Sequence, residues 1–427
     1  MGRKPVHLVF VEEKNKGDGV DHNKFYDMFE RNGECHCLWG RRQDGYEFGK
    51  SGKLTIKPLH EWDKIYSSKV GKGYEDKSYL YEDLVTATVT GSANDDSLYA
   101  PIQNPKIAEI VDRLQKYAND VIKANYSVKS GQVTKIMVDE VQKYLNEMTY
   151  ANSLNEFNSY LLEIFKIIPR SMSRVDAYLA YSQNDMAKII QREQDLLDIM
   201  RGQIITPVKG QKVVTQAGNK HTILELNGIR MEEVSAKDIE EIKKRMGSNA
   251  HRFVNAWRVV NEKQETAYNA YCKEEGLRKR DCKLLWHGTR SENVWSILKT
   301  GLVLRPQNAV ITGKMLGRGL YFAPDFLKSR NYTSARGTTW ASGKDNTGFM
   351  ILHAVAYGNP YNLNSFGVIS QSFEYKDLRK LKDANGNKYH SVHAHKGMDT
   401  GWSALKADEI VVYKEEQVMP LFLVEIT

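Results

Sequence analysis

Four short strings in the last third of the chain carry residues whose types could do chemistry together. LLWHGTR (284–290) ends an apolar run in His287, followed at once by Gly288 and Thr289. A histidine where a strand leaves the core is, by itself, most often a satisfied structural residue. The glycine after it removes a Cβ and lets a ligand approach the backbone. Tyr321 sits in GRGLYFA (317–323), and Glu409 opens the apolar run of DEIVVY (408–413). Between them, in PDFLKSRNY (324–332), Asp325 can cap a short helix. Ser329 and Tyr332, three apart, then share one face of it. An imidazole, a phenol, a hydroxyl and a carboxylate are thus dispersed over strand ends and one helix.

The standard phosphate cradles do not account for them. GKMLGRGLYFA contains no G-x-G-x-x-G, and its glycines precede the strand instead of leading from it into a helix. A Walker-type G-x-x-x-x-G-K-[ST] and a nucleophile elbow G-x-S-x-G are both absent. Cys35-His36-Cys37 is too tight for a structural zinc site and lacks a second ligand pair. His390, His393 and His395, in the stretch 382–402, read as part of a sheet-edge loop and not a metal site. No metal is expected.

The elements that must position these groups are short and apolar. RFVNAWRVV, KLLWHG, GLYFA, GFMILHAVAYG, EIVVY and LFLVEI look like strands covered on both sides, and SAKDIEEIKKRM like a helix. Residues 206–427 therefore read as a mixed α+β domain with a largely antiparallel sheet. Residues 101–205 have another texture: apolar side chains recur at helical spacing through Ile107, Ile110, Leu114 and Tyr117, through Val133 to Leu145, and through Phe157 to Ile168. Pro169 should end that third helix, a fourth follows, and the segment reads as an all-α helical bundle. Residues 1–95 read as a small β-rich domain. KFYDMFE, CHCLWG and YEFGKSG are its strand candidates, separated by Asn32-Gly33 and Asp44-Gly45, with a helix around LHEWDKIYSSKVGKG and GSANDDS as linker. The expected fold class is multidomain α+β.

Bulk properties agree. A chain of 427 residues is too long for one ordinary core, and 41% hydrophobic with 27% charged residues is a soluble composition. A net charge of +8 leans toward anionic partners such as nucleic acid or phosphorylated ligands. Four cysteines suit a reducing compartment better than a disulfide scaffold. No apolar run approaches the ~18 residues of a membrane span. The start MGRKPVHLVFV has too short an apolar core for a signal peptide, and Val6 stands where a myristoylation signal has Ser or Thr. An intracellular protein without a membrane partner is expected.

LLWHGTR, GKMLGRGLYFA, KSRNYTS, GFMILHAVAYGNPY and DEIVVYKEEQV, in this order, resemble the catalytic domain of the poly(ADP-ribose) polymerases, ADP-ribosyltransferases with a His-Tyr-Glu triad. Upstream, CHCLWGRRQDGYEFGKSG resembles a WGR domain through Trp39-Gly40-Arg41, and LEIFKIIPRSM with DLLDIM resembles the family's helical regulatory domain. The resemblance implies NAD as substrate, ADP-ribose passed to protein acceptors including the enzyme itself, nicotinamide released, and no metal.

It further implies roles. The Gly288 backbone and Ser329 hydroxyl hold the nicotinamide carboxamide, while Tyr332 stacks on the ring and Tyr321 flanks it. His287 binds the adenosine-side ribose, Arg305 contacts the adenine side and Met315 packs the acceptor chain end. Glu409 acts on the nicotinamide ribose and the incoming hydroxyl. Thr289 replaces the more usual serine after His-Gly, and the loop 306–314 is short.

Breaks in DNA with 5′-phosphorylated ends are the expected trigger, met by Trp39, Arg41 and Arg42. From 39 to 73, eight basic residues stand against four acidic ones. Mono-transfer, NAD hydrolysis, or a DNA-end scaffold with a vestigial transferase are the alternatives. The expected location is nuclear if the source is eukaryotic and cytoplasmic otherwise.

Overall fold

The computed structural model describes residues 2–13, 22–42, 45–81, 99–204, 221–304, 315–401 and 403–427. It is a mixed α+β structure whose sheets are largely antiparallel. No helix among the described residues is long and apolar enough to cross a membrane. The described residues divide into two compact units, those up to 81 with 119–204, and 99–118 with those from 221 on.

In the first unit, β1 (Val6–Glu12), β2 (His22–Arg31), β3 (Glu34–Arg41), β4 (Lys53–Pro58) and β5 (Glu75–Asp76) form one antiparallel sheet in the order β4-β3-β2-β1-β5. Asn32 and Gly33 both adopt positive φ, 52° and 77°, which lets the two-residue turn follow the twist of β2 and β3. YEFGKSG is not the expected strand. Apart from one bridge at Tyr46, it is a run of turns in which Gly49 and Gly52 take φ of +74° and +101°. The expected turn residue Asp44, the linker GSANDDS and residues 206–220 lie outside the described residues.

Helices Lys135–Met148 and Leu154–Ile167 start at Thr134 and Ser153, whose side chains accept backbone N–H bonds, and helix Gln183–Gln203 opens with a Ser182–Asp185 capping box. Helix Leu154–Ile167 stops ahead of Ile168-Pro169, since the residue before proline is driven from helical angles. The sheet and these helices share one unit because polar groups tie them. Tyr46 N–H donates to Ser127 O at 2.9 Å, and Lys77 Nζ meets Glu163 at 3.1 Å.

Arg42 corrects the sequence reading. Instead of lying on an exposed face for DNA, it is buried, and its guanidinium donates to Asn23 Oδ1, Lys166 O and Phe165 O at 2.9, 2.8 and 2.5 Å. It satisfies carbonyls left free at the end of helix Leu154–Ile167, a structural role.

Among the described residues the second unit has two sheets. β6 (Ile229–Glu233), β7 (Phe253–Asn261), β14 (Val418–Ile426), β10 (Gly348–Val355) and β8 (Lys283–Thr289) pair antiparallel in that order. β11 (Pro360–Leu363), β12 (Ser391–Ala394), β13 (Glu409–Val412) and β9 (Leu320–Phe322) form the other, parallel only between β11 and β12. β12 has partners on both sides, so His393 lies in a sheet interior and not in the expected edge loop. Helix Pro105–Asn125 gives this unit its residues 105–118. Ile107, Ile110, Val111 and Leu114 pack into one core with Trp257, Trp295, Phe349, Ile351 and Leu423. Arg113 beside them pairs with Glu425 at 2.5 Å. The helical segment expected as one domain from 101 thus gives its first turns to the C-terminal core.

Candidate active site

The two sheets of the second unit meet at Trp286 and Ala323, which exchange backbone bonds of 2.9 and 3.1 Å. That bridge brings the end of β8 against β9, and His287 Nδ1–H donates to the Tyr321 carbonyl at 3.1 Å. A carbonyl only accepts, so the proton sits on Nδ1 and Nε2 keeps its lone pair. Burial lowers the His287 pKa, with the Tyr321 bond partly opposing it, and the imidazole is neutral near pH 7.

Helix Phe326–Arg330 lies across the same strand end. Asp325 caps it by accepting from Lys328 N–H at 2.7 Å, and Ser329 Oγ donates to Trp286 O at 3.1 Å. A Cβ on Gly288 would fall 1.7 Å from the Ser329 carbonyl oxygen. Only glycine lets strand and helix approach this closely, and the bare backbone beside a hydroxyl is a ready cradle for a planar amide.

Tyr321 is fixed at both ends of its hydroxyl, donating to Gly317 O at 2.7 Å and accepting from Leu316 N–H at 3.0 Å. Tyr332 is 40% exposed, and its ring stacks with Trp340 at 6.4 Å and 22°. Glu409, at the start of β13, is buried, and Lys328 Nζ contacts its carboxylate at 3.1 Å while also donating to Ala407 O at 3.2 Å. Burial raises the pKa of both Tyr321 and Tyr332, and the charge of Glu409 raises each further, so the carboxylate acts on both rings.

The structure therefore gathers His287, Gly288, Tyr321, Ser329, Tyr332 and Glu409. Thr289 is buried, its hydroxyl accepting from Asn293 Nδ2 at 3.3 Å. Met315 is half-buried and packs with Tyr321 against the core around Leu316, Phe373 and Tyr413. Arg305 lies outside the described residues. Sequence reading missed Lys328 and Trp340, both in view beside Ser329 and Tyr332. Nothing local to a short polar helix says that a lysine's partner is a glutamate on a distant strand.

Residues 234–427 match the family model described as poly(ADP-ribose) polymerase catalytic domain. The putative poly [ADP-ribose] polymerase-like 100L of Invertebrate iridescent virus 6 is 32% identical over 168 residues, 39% of this chain and 81% of that protein. The chain belongs to the poly(ADP-ribose) polymerase family. Poly [ADP-ribose] polymerase 1 of Gallus gallus is 25% identical over 371 residues, which span 78% of this chain and 35% of the chicken protein. Uncharacterized protein 101L of the same virus is 28% identical over 218 residues, half of this chain. As a polymerase-family member the chain is an NAD+ ADP-ribosyltransferase, and NAD is its substrate.

Proposed function

We propose that this transferase builds poly(ADP-ribose) on protein acceptors, itself included, and that broken DNA switches it on. The observation that carries the first half is the carboxylate of Glu409, held by Lys328 at the strand end next to Tyr321 and Tyr332. Cleavage of the ribosyl–nicotinamide bond develops an oxocarbenium-like centre, which needs a held leaving group and an anion nearby.

The Gly288 backbone and Ser329 hydroxyl hold the carboxamide; with its proton given to Trp286 O, Ser329 keeps lone pairs to accept the amide N–H. Tyr332 stacks on the ring, and Tyr321 flanks it. His287 Nε2 accepts from a ribose hydroxyl on the adenosine side, where Arg305 also binds. Glu409 bonds the nicotinamide ribose and orients the incoming hydroxyl of a chain end packed by Met315.

The second half rests on a cavity of about 660 Å³ in the first unit. Its described lining includes Trp39, Arg41, Lys24, Lys53 and Lys69, with Tyr74 beside them, and no acidic residue among the described ones. Lys53 Nζ lies 5.5 Å over the Trp39 ring. Cations around an exposed indole suit a 5′-phosphorylated end with an unpaired base to stack, the DNA contact of a WGR domain. On this reading the helices of 119–203 form a regulatory domain that restrains the enzyme until DNA is bound.

Incubation with labelled NAD, with and without nicked or broken DNA, tests both halves. The parent should give a DNA-dependent ladder on itself. Glu409→Gln should bind NAD with near-parental affinity yet give short products, because a group acting mainly on the transition state changes turnover more than binding. A single band from the parent would mean mono-transfer.

A further inference from the structure

Two histidines and an aspartate outside the site lie with one ligand atom from each within 4.8 Å of the others: His393, His395 and Asp408. His393 is in β12, buried, and its Nε2 is 3.0 Å from Asp408 Oδ2. The His395 ring stacks on it at 4.1 Å and 29°. The other polar atom of each group is already committed. His393 Nδ1 is 2.8 Å from the Tyr357 hydroxyl, and His395 Nε2 is 2.9 Å from Asn362 Oδ1. Lys396 N–H donates to Asp408 Oδ1 at 2.8 Å.

Such outer partners are what hold metal-ligating side chains in their tautomer and orientation. Asn362 Oδ1 only accepts, so the His395 proton sits on Nε2 and the lone pair on Nδ1. Nε2–H of His393 donates to Asp408 Oδ2 and Nδ1 accepts from the Tyr357 hydroxyl; Nε2 becomes a free base once its proton moves to Nδ1, where the Tyr357 oxygen can accept it. A hydrogen-bonded His–Asp pair would account for His393 and Asp408 alone. It leaves His395, stacked and held by its own amide, without a purpose.

We propose that His393, His395 and Asp408 bind a divalent first-row transition-metal ion, Zn²⁺ foremost, that braces the corner of the chain carrying Glu409. Two imidazoles and one carboxylate select zinc, cobalt or nickel over Ca²⁺ and Mg²⁺, which prefer all-oxygen shells. The Lys283 ammonium, 3.6 Å over the Tyr357 ring, adds repulsion that coordinate bonds to nitrogen have to outweigh. Three protein ligands leave a fourth position for water. Asp408 directly precedes Glu409, and Ala407 O accepts from Lys328, so the ion fastens β12 to the segment that holds the carboxylate. The inference concerns metal binding and stands whether or not the polymer reading holds.

The test uses the untagged full-length protein, stripped of metal and titrated with Co²⁺, whose d–d absorption reports a low-symmetry nitrogen and oxygen site. One equivalent should bind and be displaced by Zn²⁺, and Zn²⁺ should raise the thermal unfolding temperature. His395→Ala and Asp408→Asn should each lose the bands and the thermal shift. Asn362→Ala keeps all three ligands and should weaken binding by roughly 10–100-fold. Absence of saturable bands in the parent overturns the proposal, whatever the variants do. So does parental binding retained in His395→Ala, which would place the ion elsewhere, at the cysteines for example.

Discussion

Lys328 and Glu409 show what a single pair contributes. Both side chains are mostly withdrawn from water, and each is the other's ionic partner at 3.1 Å. Lys328→Met should leave the carboxylate uncompensated and cut transferase turnover at least tenfold. It should also cost about 2 kcal/mol in denaturant unfolding, less than a fully buried pair because some water contact remains. Lys328→Arg, which keeps the charge, should retain most of the stability.

A second residue-scale expectation comes from His287 and His353, whose pKa values are both lowered, first of all by burial. In the unfolded chain each takes up a proton near about pH 6.5. Below that pH the unfolded state gains protons that the folded state resists, so stability falls on acidification and is flat above it. Urea unfolding followed from about pH 7.5 down to about 5.5 should show this decline, shallower in His353→Leu. At this scale the residue types of the site were legible in the sequence. The partners were not: Arg42 carries the same charge as Arg41, and only burial under helix carbonyls separates their roles.

Among the elements, helix Pro105–Asn125 departs most from what its sequence suggests. Its 3.6-residue apolar spacing is plain, but a stripe does not say which core it faces. Residues 105–118 lie outside the family-matched range 234–427, yet their apolar side chains complete that core. Leu114, fully buried there, should cost about 2–5 kcal/mol on Leu114→Ala, read as a lower denaturant midpoint of the catalytic unit. A fragment of 234–427 should for the same reason aggregate more readily than one of 99–427. The strands β7, β8, β9, β10, β13 and β14, by contrast, were visible as apolar runs and form where their strings predict, whereas β6 and β11 were not read as strands. β12 escaped notice because SVHA reads as polar, and a strand with partners on both sides is recognised only once its neighbours are in place.

For the whole molecule, the proposed DNA dependence raises the question of how a DNA end would govern the reaction. On that proposal, DNA would shift the populations of restrained and open states only as far as its affinity differs between them. A hundredfold activation needs roughly 2.7 kcal/mol of such difference, within reach of a few charge-assisted contacts. Trp39→Ala together with Arg41→Ala should weaken binding to a 5′-phosphorylated break and abolish most of the DNA stimulation, while the DNA-free rate stays at the parental value. Fluorescence anisotropy at two salt concentrations checks the contact, since phosphate-dominated binding weakens steeply with salt. Unchanged affinity would remove the DNA-end reading of the cavity.

What the sequence by itself determined is what is local or carried by ordered strings: strand and helix periodicity, the Asn32-Gly33 turn, the stop before Pro169, and the family with its NAD chemistry. Periodicity and turn chemistry act over a few residues, so they survive without knowledge of the rest of the chain. The tertiary structure alone decided that Gly288 must lack a side chain, because the obstructing Ser329 carbonyl arrives from another element. It alone placed Lys328 on Glu409, buried Arg42, gave residues 105–118 to the catalytic core and set His395 against His393 and Asp408. Apart from the neighbours His393 and His395, those are contacts between residues separated along the chain, fixed by packing and burial, and no spacing in the sequence encodes them.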